Sequence, residues 1–122
     1  MIKLALTTAA AVIISTSAFA ASFAVTEIAK SGIKKANGVW TVSGEGDKVS
    51  GTAALQLDNG TPVTYKPSGK LEGNVYTLTL ADRTDGKKDC VWTGKAGENG
   101  KVFEGPVVCG SDQFVIRAGV QQ

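Results

Sequence analysis

Three carboxylates in the stretch DRTDGKKD, Asp82, Asp85 and Asp89, are the first residues in this chain whose type and spacing suggest chemistry, that of a calcium loop. Calcium loops set oxygen ligands at alternating positions. This stretch misses that alternation and carries Arg83, Lys87 and Lys88 among its acids, so it reads as a solvated turn. A second stretch, GKAGENGK over residues 94–101, has the flavour of a phosphate-binding loop. It has one residue too many between Gly94 and Gly100, lacks Ser or Thr after Lys101, and falls inside a hairpin instead of ahead of a helix. Acid–base work needs two carboxylates in one cleft, and Glu45, Glu72, Glu98 and Glu104 fall in turns or on outward faces. The chain contains no histidine, which removes Ser-His-Asp and Cys-His nucleophiles and the commonest metal ligand together. The expectation is a protein with no catalytic set, no metal site and no cofactor, that is, not an enzyme.

The remaining chemistry-bearing pair is Cys90 and Cys109, the only two cysteines. Between them Asn99-Gly100 is the strongest short signal for a two-residue type I′ hairpin. Folding back from that turn sets Cys90 opposite Cys109, Trp92 opposite Val107, Gly94 opposite Gly105 and Ala96 opposite Phe103. Val91 meets Val108 and Lys95 meets Glu104 on the other face. Opposed residues of an antiparallel pair lie within disulfide reach, so a Cys90–Cys109 disulfide is expected. The spacing excludes a CxxC redox site and there is no third ligand for zinc.

The N-terminus reads as an export signal. Lys3 gives a short positive region, Leu4 to Ile14 an apolar one, and Ala18-Phe19-Ala20 a small-residue cleavage site. Residues 1–20 are therefore expected to be removed after Ala20, and no cysteine stands there to take a lipid anchor. The stretch is too short for a membrane span. An exported destination, periplasm or secreted, suits the disulfide. Thirteen Lys and Arg stand against eleven Asp and Glu. Losing Lys3 leaves a balance near neutral, with no electrostatic reason to expect nucleic acid or an anionic membrane as partner.

Around the cysteine hairpin, residues 38–122 read as a single domain of short alternating strands separated by turns. Gly46-Asp47, Gly73-Asn74 and Gly110-Ser111 each place glycine first in a two-residue type II′ turn. Their registers set Val42 against Gly51, Trp40 against Ala53, Leu71 against Tyr76, Val107 against Phe114 and Glu104 against Arg117. At Asp58-Asn59-Gly60 a three-residue loop with Gly60 left-handed pairs Leu55 with Val63, whereas a two-residue turn would put apolar residues on opposite faces. Pro67-Ser68-Gly69 is expected to turn the chain between a strand at Tyr65 and a short one from Lys70 to Glu72. The count is eight antiparallel strands in an up-and-down meander. Closure removes the exposed edges, so a small β-barrel is expected, with a two-sheet β-sandwich as the alternative. Residues 21–37 form an N-terminal segment with Phe23, Val25, Ile28 and Ile33, an irregular strand or one helical turn.

The inward set holds Trp40, Leu55, Leu57, Tyr65, Leu71, Tyr76, Leu78, Leu80, Trp92, Phe103, Phe114 and Ile116, with no charge assigned inward. Eight strands enclose a space that side chains can fill or that holds one small ligand, and this many large residues favour a filled one. Tyr65 and Tyr76 need hydrogen-bond partners if buried, which places them near a barrel mouth as the candidate contacts for a small apolar ligand. Outside, Val91, Val108, Pro106 and Val115 cluster on the last three strands. Contiguous exposed apolar surface marks an interface, either covered by segment 21–37 or free for a protein partner or self-association.

This pattern resembles that of small exported barrels: avidin-like and lipocalin-like binders, and bacterial periplasmic inhibitors of proteases or lysozyme. The likeness is one of pattern, and no family's functional residues carry over. Two functions are compatible with it. One is a non-enzymatic protein-binding module of the periplasm, an inhibitor of a protease or lysozyme being the specific form. The other is a carrier for a small apolar ligand.

Overall fold

A computed structural model describes residues 18–121 of the chain, so the expected export signal lies outside the described residues except for Ala18 to Ala20. It is a closed eight-stranded antiparallel barrel in which each strand pairs with the next and β8 returns to β1. The strands are β1 (Ala18–Ala29), β2 (Lys34–Glu45), β3 (Lys48–Leu57), β4 (Pro62–Glu72), β5 (Val75–Ala81), β6 (Cys90–Ala96), β7 (Val102–Cys109) and β8 (Asp112–Val120). Among the described residues there is no helix long and apolar enough to cross a membrane.

The expected number of strands is right, but two of its members are not. Residues 21–37 neither turn as a helix nor lie over the barrel. They form most of β1 and the start of β2, and β1 is the staple that closes the cylinder, pairing with β2 from Ala18 to Ile28 and with β8 from Phe23 to Ala29. Conversely, Pro67-Ser68-Gly69 does not end a strand: β4 runs through it, with Pro67 opposite Leu80 and Gly69 opposite Leu78. Proline has no N–H for the ladder. The β3–β4 pairing accordingly skips from Ser50–Ser68 to Ala53–Tyr65. The same device recurs where Pro106 interrupts the β6–β7 pairing between Trp92–Val107 and Lys95–Glu104.

The turn registers follow the sequence closely. Val42–Gly51, Trp40–Ala53, Leu55–Val63, Leu71–Tyr76, Cys90–Cys109, Val107–Phe114 and Glu104–Arg117 all face each other as expected. The 98–101 turn differs in type. Only Gly100 is left-handed, at φ +70°, and its N–H donates to the Gly97 carbonyl at 3.0 Å. Asn99 instead uses Oδ1 to accept the Lys101 N–H at 2.9 Å. The register survives because the Gly97 N–H still donates to the Val102 carbonyl, leaving those residues opposed. Cys90 and Cys109 form the disulfide, their Cα atoms 4.0 Å apart.

A file of aromatic rings fills the interior. Phe103 meets Tyr76 edge-on at 4.8 Å between centroids, Tyr76 stacks on Trp92 at 6.0 Å, Trp92 meets Trp40 at 5.0 Å, and Trp40 meets Tyr65 at 6.2 Å. Offset and edge-to-face contacts of this kind are the arrangements ring quadrupoles favour. Gly94 makes room for the file, since a side chain there would occupy the space taken by the Trp92 ring. The Trp92 indole N–H is shared between the Gly105 and Ile116 carbonyls, each at 3.2 Å. No water fits in the space left among Phe23, Trp40, Val42, Tyr76, Leu78 and Trp92.

Candidate functional site

One end of the barrel carries the turns after β1, β3 and β7 together with the chain from 82 to 89 that joins β5 to β6. That connection is bracketed by Asp82 and Asp89, both left-handed at φ +57° and +55°. Non-glycine residues adopt this region at some cost, aspartate more readily than most. The reversal at Asp82 changes the inside–outside alternation of β5. Tyr76, Leu78 and Leu80 point inward, parity would turn Asp82 inward next, and the kink sends Arg83 in instead.

Among the described residues Arg83 and Glu27 are therefore the charged residues buried in the barrel, which corrects the expectation that no charge faces inward and that 82–89 is merely a solvated turn. Arg83 grips the Glu27 carboxylate with both terminal nitrogens, Nη1 to Oε2 and Nη2 to Oε1, each at 3.1 Å. The other edge of the guanidinium reaches Asp85, Nε to Oδ1 at 3.0 Å and Nη2 to Oδ2 at 2.6 Å. The Tyr65 hydroxyl donates to Glu27 Oε2 at 2.8 Å and accepts the Trp40 indole N–H at 3.0 Å. The Arg83 guanidinium carbon lies 4.5 Å from the Tyr65 ring centroid and 5.2 Å from that of Phe114. Every buried side-chain polar atom among the described residues has a partner, as buried polar groups require.

Titration follows from this packing. Burial opposes charge on Arg83, yet the hydrogen bonds it donates to Asp85 and Glu27 outweigh it and hold the guanidinium more firmly protonated than usual. Burial pushes the Asp85 carboxyl up, but the hydrogen bond from Arg83 and that from the Lys87 N–H bring it below the ordinary carboxylate value. Tyr65 is driven well above the normal phenol range, by burial first and by the charge of Glu27 next.

The residues expected to hold a ligand are thus placed otherwise. Tyr65 is 2% exposed and committed to the polar cluster. Tyr76 lies towards the opposite end, one residue from the β4–β5 turn, 5% exposed and packed between Phe103 and Trp92. They do not share a mouth. Asp82, Asp85 and Asp89 do not converge on a metal position either, and no three metal-ligating side chains do so among the described residues.

The outer candidates come together as expected. Val91 opposes Val108, Pro106 opposes Val115, and across the closing seam Val115 opposes Ile28. Val91 is 39% and Val108 41% exposed. No part of the described chain covers this face, because the segment expected to do so is built into β1 and β2.

No protein-family model matches the chain, and no curated protein matches it in sequence. Among solved structures it is similar to a redesigned β-barrel, b11L5F_LGL, with a TM-score of 0.60 and 11% identity over 84% of this chain and 90% of that one. At that identity the likeness concerns the barrel alone.

Proposed function

We propose that this chain is an exported, non-enzymatic binding module of the bacterial periplasm, which engages a protein partner through the outer face of β6, β7 and β8. Protease or lysozyme inhibition is the specific activity to look for. The observation that carries the proposal is the contrast between a filled interior, where no water fits among the central rings, and the uncovered Val91, Val108, Pro106 and Val115 face outside it. A carrier would have to displace Trp40, Trp92 or Arg83 to admit a ligand, each of which has its polar atoms bonded. Export is supported by the Lys3 to Ala20 pattern and by a disulfide that oxidising compartments sustain. Most outward positions of β3 and β4, among them Ser50, Thr52, Thr64, Lys66 and Lys70, are exposed and polar, the reverse of the apolar girdle a lipid-facing barrel carries.

The test is direct. Mature protein, beginning at Ala21, is immobilised and challenged with envelope extract, and is assayed in solution against proteases and lysozyme. Capture of a defined protein or inhibition of one of these enzymes is expected. A protein that captures nothing and inhibits nothing refutes the reading.

A further inference from the structure

The connection from Asp82 to Asp89 is fastened over the barrel end by hydrogen bonds at three points, beside an exposed Asp82–Lys66 ion pair at 3.9 Å. Arg83 enters the barrel. Thr84 and Thr64 bond reciprocally, the Thr64 N–H to Thr84 Oγ1 at 2.9 Å and the Thr84 N–H to the Thr64 carbonyl at 3.0 Å. Lys87 bonds through Nζ to Asp112. Of these, only Arg83 reaches a site built on four separate elements: Glu27 of β1, Tyr65 of β4, Phe114 of β8, and Asp85 of the connection itself.

We infer that this barrel end is a receptor site for a guanidinium group, filled in cis by Arg83, and that the 82–89 connection is a lid held shut by that occupancy. The donor geometry is the argument. Four hydrogen bonds from three nitrogens run to two carboxylates, while the rings of Tyr65 and Phe114 approach the guanidinium carbon. A planar fork satisfies two carboxylates edge to edge and still presents a face to an aromatic ring, whereas a lysine ammonium is a compact point charge that does neither. Lys35 and Lys87 also approach Phe114, their Nζ atoms 4.7 and 5.9 Å from its centroid, but among the described residues Arg83 is the side-chain cation that bonds Glu27 and Asp85. Removal of the Arg83 side chain with Asp85 left in place would leave an acidic, aromatic-walled recess whose ligand class is guanidinium compounds, an arginine side chain included. In the intact chain the tethered Arg83 outcompetes such ligands through its high effective concentration.

The experiment uses the full mature chain carrying Arg83→Ala, titrated with methylguanidinium at concentrations too low to denature, with methylammonium as control. Methylguanidinium at ten times its Kd is expected to raise the variant's Tm by about 5–10 °C and to restore amide protection across 83–87. Methylammonium should do neither, and the parent protein should respond to neither cation. Arg83→Lys should behave as the empty site. A folded Arg83→Ala variant that does not distinguish the two cations, or an Arg83→Lys variant with the parent's Tm, overturns the proposal. Should Arg83→Ala fail to fold, Asp85→Asn decides. It is expected to speed exchange of the 83–87 amides about tenfold with strand amides unchanged, and unchanged exchange in the lid contradicts the latch.

Discussion

Glu27 and Arg83, fifty-six positions apart, meet inside the barrel with both terminal guanidinium nitrogens on one carboxylate at 3.1 Å. One stands on the strand that closes the cylinder and the other on the connection that covers its end, so a single ion pair joins closure to capping. An ion pair so deeply buried owes little to net Coulomb gain, because desolvation offsets most of it. Its weight lies in the penalty for breaking it.

Removing one partner should therefore be far worse than removing both. Glu27→Ala leaves a buried guanidinium short of one of its two carboxylate partners and is expected to cost about 3–5 kcal/mol. Glu27→Leu combined with Arg83→Met removes both charges and keeps bulk in the barrel, and is expected to cost less than Glu27→Ala alone. Urea denaturation of the two variants beside the parent checks the order.

The disulfide is the second internal tie. Replacing Cys90 and Cys109 together by alanine frees a loop of nineteen residues' separation and should lower stability by about 3 kcal/mol. The far-ultraviolet circular dichroism should be kept, since β6 and β7 retain their ladder. Loss of the fold instead would mean that the meander does not hold its register without the bond.

Gly94 is expected to tolerate no side chain. A Cβ there would collide with the Trp92 ring, which is 1% exposed and borders only a space too small for water. Overpacking costs about 1–3 kcal/mol in ordinary cores, and Gly94→Ala should lie at or above the top of that range. Near-ultraviolet circular dichroism should report displacement of the Trp92–Trp40 pair, and an unchanged spectrum with an unchanged denaturation midpoint would contradict the packing.

The pH dependence has two limbs. Asp85 has a depressed folded value, so its stabilising contribution is whole above about pH 4 and is lost as pH falls through that lower value. Tyr65 has a raised folded value, so its contribution is whole below about pH 10 and is lost as pH rises beyond it. Denaturation midpoints measured across pH should fall on both sides, and Asp85→Asn should flatten the acid limb while leaving the alkaline one.

Most of the barrel is legible in the chain because turn chemistry and alternation agree from Gly38 onward. Gly46, Gly73 and Gly110 fix three registers, and face agreement fixes the Gly60 loop. What escapes does so for local physical reasons. β1 is obscured by Glu27, an acid at the third inward position after Phe23 and Val25, and by the bulge between Glu27 and Ile28, which shifts the alternation. β4 is split on paper by Pro67 and Gly69, residues that bend a strand as readily as they end one. Arg83 is hidden by a backbone event, the left-handed Asp82, which inverts the parity that would have found it. Glu27 was within reach of alternation, and recognising β1 as a strand would have exposed it.

The outer face decides whether the filled barrel acts through its exterior. Val91 and Val108 are directly paired across β6 and β7, so Val91→Lys with Val108→Glu places opposite charges side by side, an arrangement the ladder accepts. The measurement is a side-by-side capture from envelope extract with the parent and this double variant, read by mass spectrometry. The parent's partner is expected to be lost from the variant while circular dichroism and Tm stay the same. The same partner held equally by both, or a small molecule retained inside the parent barrel, would contradict it.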